Sequence, residues 1–479
     1  MAKTCVYAAF IVCIGTVTCH AYRLVGSEAL SDALVAHHYT INANLDAVIV
    51  VDPTVPTFEY QTFYAMGYAD EPEHEQGKLH FLEHIIGGVG SYPPGGLAEL
   101  IGSSGGKYHA AIGIHMTYFT MRFPSDKLAL AVEIDRDRFY STLFDKEFVD
   151  KERQAVLTEI SGESTSSSRR FSRYFGGLLY GMDNLDGLGT PGFVEKIEPG
   201  DLKQLFHNVL RRKRRLVVVI GDVDLEDVLT KLAEAYRSGN NRTDETSPEP
   251  RFPNPDVLGE RYDVKYESLN RSRFKKAWRI PGLGHPDYAS FLVLAAILVR
   301  PSNSLRSSLL DSQIVNTFSV WTASYKGFGL IACNAVLPAV TSMSAIEVAI
   351  EKEIQRVKSH GVTEDEFSAA LNRRLRSLYS EFYNRSDMAY RFGQAFALAG
   401  DPLLYPRIFS QIRRVRVNDI PRIVREHLVE DNSITLSWTI KEPLLTSTDF
   451  FVIAIVLFGC GGTLFAIIRA VRKQTQEPI

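Results

Sequence analysis

Two histidines and a glutamate within five residues are the side chains of this sequence best suited to chemistry. Residues 80–84 read His-Phe-Leu-Glu-His, which places His80 and His84 one turn apart on one helical face, within reach of one tetrahedral ion. Glu83 projects near the same face and suits a general base that acts on water at a metal. A hydrolytic zinc site takes three protein ligands, so the spacing predicts a third ligand from another element. The alternative is that both histidines are solvated side chains in the first turn of a helix.

The surrounding pattern predicts an α+β fold. Short apolar runs broken by Pro53 and Pro56 predict two strands within residues 38–67, followed by a helix from about Lys78. The other elements expected in this part are strands at 118–123 and 216–220 and helices at 127–139, 151–163 and 199–209. Helices and strands do not alternate strictly, which is typical of an α+β arrangement.

A polar, proline-rich stretch divides the chain. Residues 238–256 are rich in Asn, Asp, Glu, Ser, Thr and Pro, so we interpret them as a linker between an N-terminal half, 22–237, and a C-terminal half, 257–445. The order of elements recurs after the linker, with strands at 262–266 and near 329–335 and helices at 288–299, 344–359, 364–382 and 385–399. The recurrence predicts two similar α/β-sandwich halves, and two unrelated α+β domains are the alternative.

The segment 80–84 resembles the inverted zinc motif of the pitrilysin-like (M16) metallopeptidase family, which includes the mitochondrial processing peptidases and insulin-degrading enzyme. In that family a second helix, about 75 residues further on, supplies a glutamate ligand. The segment 151–160 looks like that helix, and Glu159 lies 75 residues beyond His84. Glu152, two turns earlier on nearly the same face, is expected to orient a ligand. The alternative is that both glutamates are surface acids on a charged helix.

The likeness covers roughly residues 38–440. Gly105 and Gly106, with the residues that follow them, resemble the family's edge strand, which binds the substrate backbone by strand addition. His109 and Ala110 are therefore expected to contact a peptide substrate, although His109 stands where the family usually has asparagine and a structural role is the alternative. The resemblance implies Zn²⁺ as cofactor and two halves that close as a clamshell around a peptide or an unfolded protein segment.

One departure from the family pattern concerns the second half. Members that work as a single polypeptide present an arginine and a tyrosine from that half toward the substrate, but here the corresponding positions hold Leu310 and either Thr317 or Phe318. Leucine and phenylalanine side chains cannot donate a hydrogen bond to an oxyanion. Because some members divide the work between two chains, the resemblance implies a zinc-less homologous subunit that supplies the missing arginine and tyrosine.

Both ends of the chain predict a membrane protein. Residues 1–21 have the pattern of a signal peptide, and the 19 uncharged residues 450–468 have that of a transmembrane helix. Basic residues follow the span, so the positive-inside rule places the tail 469–479 in the cytoplasm and the ectodomain in a periplasm, secretory lumen or extracellular space. An uncleaved signal anchor, lipoprotein cleavage at Cys19 and a buried core helix at 450–468 are the alternatives.

The composition and the single predicted span argue against nucleic-acid binding and transport. The 479 residues are 45% hydrophobic and 23% charged, as in an ordinary globular protein, and a net charge of -3 offers no electrostatic footprint for nucleic acid. A single span offers no transport pathway. We therefore expect a membrane-anchored zinc metalloendopeptidase that hydrolyses peptides outside the cytoplasm as the zinc-bearing subunit of a pair. The alternative is a non-catalytic, peptide-binding or scaffold member of the same family.

Overall fold

The computed structural model describes residues 22–440 apart from 89–91, 93–95, 165, 184, 238–254, 267–270, 302–303 and 339–342. The predicted signal peptide, transmembrane helix and cytoplasmic tail, and nearly all of the predicted linker, lie outside the described residues. Among the helices that are described, none is long and apolar enough to cross a membrane.

Twelve described strands form two sheets. The first sheet has the order β1-β2-β3-β7-β4-β6-β5 and the second the order β10-β11-β9-β12-β8. The strands are β1 (Arg23–Ala29), β2 (Val35–Asn42), β3 (Leu45–Val51), β4 (Thr57–Tyr64), β5 (Lys107–Ile112), β6 (Thr117–Pro124), β7 (Arg215–Gly221), β8 (Arg261–Tyr266), β9 (Ser272–Ile280), β10 (Thr317–Tyr325), β11 (Phe328–Leu337) and β12 (Ser433–Ile440).

The helices lie mainly between these strands in the chain. In the first half they are α1 (Lys78–Gly88), α2 (Gly96–Ser103), α3 (Leu128–Tyr140), α4 (Lys146–Ser164), α5 (Ser167–Tyr180), α6 (Pro191–Val194), α7 (Pro199–Asn208) and α8 (Leu225–Ala235). In the second half they are α9 (Tyr288–Leu298), α10 (Leu305–Asp311), α11 (Met343–His360), α12 (Glu364–Phe382), α13 (Arg385–Ala399), α14 (Leu404–Arg414) and α15 (Asp419–His427).

The two sheets repeat one topology. The order β3-β7-β4-β6-β5 in the first sheet matches β8-β12-β9-β11-β10 in the second. In both sheets the first pair of this series is parallel and the other pairs are antiparallel. The first sheet adds a hairpin of β1 and β2 beside β3. The mixed α/β architecture with two similar halves that the element order predicts is therefore present.

The prediction of two strands within residues 38–67 is wrong, because three strands, β2, β3 and β4, occupy this region. The extra break is a tight turn between β2 and β3, in which the side chain of Asn42 accepts a hydrogen bond from the backbone of Asn44 at 2.9 Å. Asparagine at a turn mimics a backbone turn through such a bond. In the sequence, the Asn-Ala-Asn segment indicates this turn, but the apolar runs on both sides of it favour a single continuous strand.

In each half, one helix packs on the sheet of the other half. Phe171 and Phe175 of α5 pack in one cluster with Trp438 of the second sheet. In the opposite direction, Phe392 of α13 packs with Phe63 of the first sheet. Because α5 and α13 occupy corresponding places after the long helices α4 and α12, this exchange is also part of the repeat.

Polar contacts also stabilise the interface between the two halves. Arg385, at the start of α13, forms an ion pair with Asp52 at 2.7 Å, and both side chains are mostly buried. Lys326, beyond β10, pairs with Asp70 of the first half at 3.0 Å. Partly buried pairs are screened by salt less than exposed ones, so these contacts help to hold the halves in a fixed relation.

A single glycine sets how closely α13 approaches the first sheet. A Cβ at Gly393 would lie 2.2 Å from ring carbons of Phe63 in β4. We expect Gly393→Ala to force the helix away and to lower the free energy of unfolding by about 1–3 kcal/mol, the usual cost of overpacking. Gly200→Ala is the matched control, because nothing lies within 4 Å of the added methyl group. Thermal and denaturant unfolding measure both, and equal stabilities of the two variants would contradict this packing.

Candidate metal centre

Helix α1 carries the first three site residues on the side that faces away from its core contacts. Its apolar side chains pack in the first-half core, and they include Phe81, Leu82 and Ile85. His80 and Glu83 are nearly buried, whereas His84 is partly exposed, and all three line one cavity. The packing of the apolar stripe thereby fixes the direction in which the polar stripe points.

The start of α1 is held by contacts that the sequence did not reveal. Gly77 has φ +96 and packs against the backbone of Gly189 so closely that a side chain would not fit. The buried carboxyl group of Glu71 accepts hydrogen bonds from the backbone N–H groups of Gly77 and Leu79. These bonds satisfy donors that a helix leaves unpaired in its first turn. An acidic residue seven positions before the helix was the available signal, but such a residue is common on surfaces.

Helix α4 brings two glutamates to the polar side of α1. Val156 and Ile160 anchor α4 in the same core cluster as α1. Arg153 donates a hydrogen bond to the carbonyl of Val194 at 2.5 Å and lies over the ring of Phe81, with 5.2 Å to its centroid. With these contacts on one side, Glu152 and Glu159 line the same cavity as the histidines.

His80, His84 and Glu159 come together as a group that can hold a metal ion, with one ligand atom from each within 4.8 Å of the others. The Nε2 atoms of His80 and His84 both lie 3.5 Å from the same carboxylate oxygen of Glu159. In a tetrahedral zinc site with bonds of about 2.1 Å, neighbouring ligand atoms are about 3.4 Å apart. The spacing therefore fits three corners of a tetrahedral zinc ion, and no other such group is found among the described residues.

Glu152 contacts the opposite nitrogen of His84. Its carboxylate oxygen lies 3.4 Å from Nδ1 of His84, while Nε2 faces Glu159. A carboxylate on the second ring nitrogen fixes the tautomer and the orientation of a metal-binding imidazole. The geometry thus places Glu152 as a positioning residue behind the metal ligands.

Charge at the site favours a cation. Burial opposes a charge on His84, but hydrogen bonds with Glu152 and Glu159 outweigh it and raise its pKa to about 10. Hydrogen bonds from the two histidines lower the pKa of Glu159 well below its ordinary value. A metal ion would take the place of the proton that this anionic cluster attracts, so metal binding is expected to release protons.

Glu83 lies beside this cluster in a different environment. Burial raises the pKa of its carboxyl group, against the opposing influence of the neighbouring histidines. A carboxylate with raised proton affinity accepts a proton from water more readily. Glu83 is therefore in a suitable state and place to act as a general base.

The edge strand β5 forms another wall of the cavity, whose volume is about 660 Å³. On its outer side β5 has no partner strand within the described part of the chain, because it ends the first sheet. His109 and Ala110, both predicted to contact substrate, lie in β5 and line the cavity together with Tyr108. The free edge can pair with an added peptide strand.

The second half contributes no described residue to the lining of this cavity. Phe318 is 4% exposed and lies in the second-half core, and Leu310 packs against that core. Neither residue therefore stands in for the arginine or the tyrosine that the family places opposite the metal.

A two-domain α/β fold whose first half carries a His-x-x-Glu-His helix opposite a glutamate-bearing helix defines a narrow class of protein. The profile described as Insulinase (Peptidase family M16) matches residues 48–173, and that described as Peptidase M16 inactive domain matches residues 196–374. The chain belongs to the M16 peptidase family.

Several relatives span nearly the whole fold. An uncharacterized zinc protease of Streptomyces coelicolor is 22% identical over 82% of this chain and 88% of its own length. The zinc protease PqqE of Helicobacter pylori is 21% identical over 83% of this chain and 91% of its own length. These relatives are named as zinc proteases, which is consistent with a zinc-binding peptidase family.

Solved structures support the same fold. A protease from Helicobacter pylori has a TM-score of 0.75 and 18% identity, covering 83% of this chain and 97% of its own. A putative M16-like peptidase from Alicyclobacillus acidocaldarius has a TM-score of 0.72 and 17% identity, covering 86% of this chain and all of its own. The chain thus has the two-domain clamshell architecture of M16 structures.

The contact between Glu152 and His84 predicts a graded effect on metal affinity. We expect Glu152→Gln to weaken zinc binding about 10- to 100-fold, because the carboxylate that orients His84 is lost. Glu159→Gln should weaken it further, since the anionic carboxylate ligand becomes a neutral amide. Competition titration with a chromophoric chelator measures each affinity. Glu147→Gln, an exposed change on the same helix, is the control, and equal affinities of Glu152→Gln and Glu147→Gln would refute the role of Glu152.

Proposed function

We propose that this protein is a zinc metalloendopeptidase that hydrolyses peptides or unfolded protein segments. The observation that carries the proposal is the convergence of His80, His84 and Glu159 at tetrahedral spacing, with Glu83 beside them in one cavity. A peptide-binding scaffold would have no need for this set of ligands next to a buried base.

The mechanism assigns a separate task to each group. A zinc ion held by His80, His84 and Glu159 would supply Lewis-acid polarisation of water and of the scissile carbonyl. Glu83 accepts a proton from the attacking water and passes it to the leaving amine, for which its raised pKa is suited. Glu152 keeps the imidazole of His84 in the orientation that binding requires.

The substrate backbone is placed by β5. A peptide that adds to the free edge forms main-chain hydrogen bonds with the strand, and its scissile bond then lies across the cavity that contains Glu83. Main-chain pairing gives affinity with little dependence on side chains, so extended or unfolded segments are the expected substrates. His109 is exposed on this strand and contacts the added peptide.

Glu83→Gln separates catalysis from metal binding. The amide preserves shape but cannot take the proton, so kcat should fall by about 10²- to 10⁴-fold while zinc stays stoichiometric. Cleavage of a quenched fluorescent peptide and zinc analysis of the same preparation measure the two quantities. Glu133→Gln, an exposed change on α3, is the control. Unchanged cleavage by Glu83→Gln would favour the non-catalytic alternative.

The proposal includes a second subunit. Because Leu310 and Phe318 are taken up by the second-half core, this chain supplies no arginine or tyrosine at those positions for the transition state. A homologous chain without zinc ligands would supply them. This division would make the present chain the zinc-bearing member of a pair.

A partner of this kind should be needed for full activity. We expect the purified chain to bind zinc but to gain at least about 10²-fold in kcat/KM when the homologous subunit is added, the usual effect of an oxyanion donor. The gain should vanish with Glu83→Gln as the zinc-bearing chain. Size-exclusion chromatography with activity assays measures both effects, and a fully active monomer would contradict the two-chain proposal.

We also propose that the ectodomain is held outside the cytoplasm. The support is the sequence alone: the signal-like residues 1–21, the apolar segment 450–468 and the basic tail 469–479. Protease given access only to the non-cytoplasmic side of the membrane should digest the ectodomain and spare a tag at the C-terminus, whereas digestion of the tag from the cytoplasmic side together with loss of the ectodomain would reject this topology.

A further inference from the structure

A buried lysine lies at the interface of the two halves, away from the metal ligands. Lys275 belongs to β9, whose side chains alternate between the two faces of the second sheet. Phe274 points into the second-half core, whereas Lys275 faces helix α5 of the first half. Only 6% of Lys275 is exposed.

Aromatic rings surround the ammonium group of Lys275. Its Nζ lies 4.1 Å from the ring centroid of Phe175, 5.4 Å from that of Trp321 and 5.5 Å from that of Phe171. Cation–π contacts of this kind offset part of the cost of removing a charge from water. They give no acceptor for the three hydrogen-bond donors of the ammonium group.

No carboxylate pairs with Lys275 among the residues that the structure describes, since every described ion pair in this region involves another cation. Its neighbour in sequence, Lys276, pairs with Glu430 at 2.6 Å on the opposite face. Burial lowers the pKa of Lys275 to about 8, so at neutral pH the side chain is still mostly protonated. An unpaired buried cation is unusual and calls for an anionic ligand.

Lys275 lines a cavity of about 370 Å³ between the halves, and this cavity shares lining residues with the metal cavity. Ile112, Arg169 and Leu188 line both this cavity and the metal cavity. Ile112 is the last residue of β5, along which the substrate strand is expected to lie. A peptide advances about 3.3 Å per residue as a strand, so a residue several positions from the scissile bond reaches the cavity.

We propose that Lys275 is the anchor of a subsite that binds a carboxylate of the substrate, several residues from the bond that is cleaved. This inference rests on the proposed peptidase function, which it extends with a preference among substrates. The carboxylate belongs either to an aspartate or glutamate side chain or to the C-terminus of the peptide. Both sources offer the same charge and the same acceptor oxygens.

The other positively charged groups around the cavity are already in ion pairs, so we assign the carboxylate to Lys275. Arg173 is paired with Asp186, and Arg169 is paired with Glu163. A substrate carboxylate would therefore meet an excess of positive charge, in a setting of low polarity where pairing is strong.

The same surroundings make the interaction dependent on pH. The tyrosines that line the cavity do not compete near pH 8, because burial raises the pKa of each of them: Tyr68, Tyr180 and Tyr325. The other charged groups that line the cavity, Arg169, Arg173 and Asp186, are held in ion pairs. A bound carboxylate favours protonated Lys275, so affinity for an acidic peptide should fall as pH rises through about 8.

The test compares neutral peptides that each carry one glutamate at successive positions with the same peptides carrying glutamine. A second pair differs only in a C-terminal carboxylate or amide. Fluorescence anisotropy measures binding in a Glu83→Gln background, where no cleavage occurs, and kcat/KM is measured with the active protein. We expect one glutamate position, or the free C-terminus, to improve binding and kcat/KM at least about tenfold.

Two substitutions test whether Lys275 causes the preference for acidic peptides. Lys275→Met should abolish the tenfold difference and leave the glutamine peptides unaffected. Lys276→Met, the matched control on the opposite face, should retain it. Wild-type protein that does not distinguish the peptides, a preference that survives Lys275→Met, or equal losses in both variants would each overturn the inference.

The pH profile keeps the inference testable if Lys275→Met does not fold. Binding of the preferred acidic peptide to otherwise wild-type protein should weaken above about pH 8 while binding of its neutral twin does not, and parallel profiles would overturn the inference. Failure of the proposed function has a different signature. No peptide would then be cleaved, although the difference in binding between acidic and neutral peptides would persist.

Discussion

The approach of helix α4 to helix α1 is the contact on which the site depends. Neither helix alone can hold a metal ion with three ligands, because His80 and His84 lie on one helix and Glu159 on the other. Apolar side chains of both helices share one core cluster, which brings the polar stripes to tetrahedral spacing. The hydrophobic packing thus holds together polar side chains whose removal from water is costly.

The repeated architecture joins the two halves through helices that pack on the opposite sheet. Helices α5 and α13 are exchanged between the sheets, and Phe175 of α5 contributes at once to the interface and to the surroundings of Lys275. The metal cavity shares lining residues with the cavity at this interface. All the described residues that line the metal cavity belong to the first half, whereas both halves line the cavity that contains Lys275.

Local spacing made part of this arrangement predictable. His80, Glu83 and His84 lie within five residues, so helical geometry alone relates them. Glu159 is 75 residues away from His84, and only the resemblance to a family singled it out before the fold was known. The repeat of elements was likewise visible as a pattern. The short turn at Asn42 was not predicted, so two strands were interpreted as one.

Other features depend on contacts that no local pattern records. The amphipathic helix α5 packs on a sheet whose strands lie between Arg261 and Ile440, far along the chain. Lys275 follows the alternation of an ordinary strand, and its aromatic surroundings come from α5 and β10. Phe318 has an apolar side chain of the kind found in cores, but its burial depends on the packing of β10 against the second-half core.

The proposed peptidase function depends on one zinc ion that His80, His84 and Glu159 bind together. Anomalous diffraction at the zinc edge, recorded on crystals of the purified protein, locates such an ion. We expect one strong peak about 2.0–2.2 Å from Nε2 of both histidines and from a carboxylate oxygen of Glu159, with Glu83 outside bonding distance. A zinc-loaded crystal with no peak at this position, or with the ion bound by other residues, would show that these three residues do not form the zinc site.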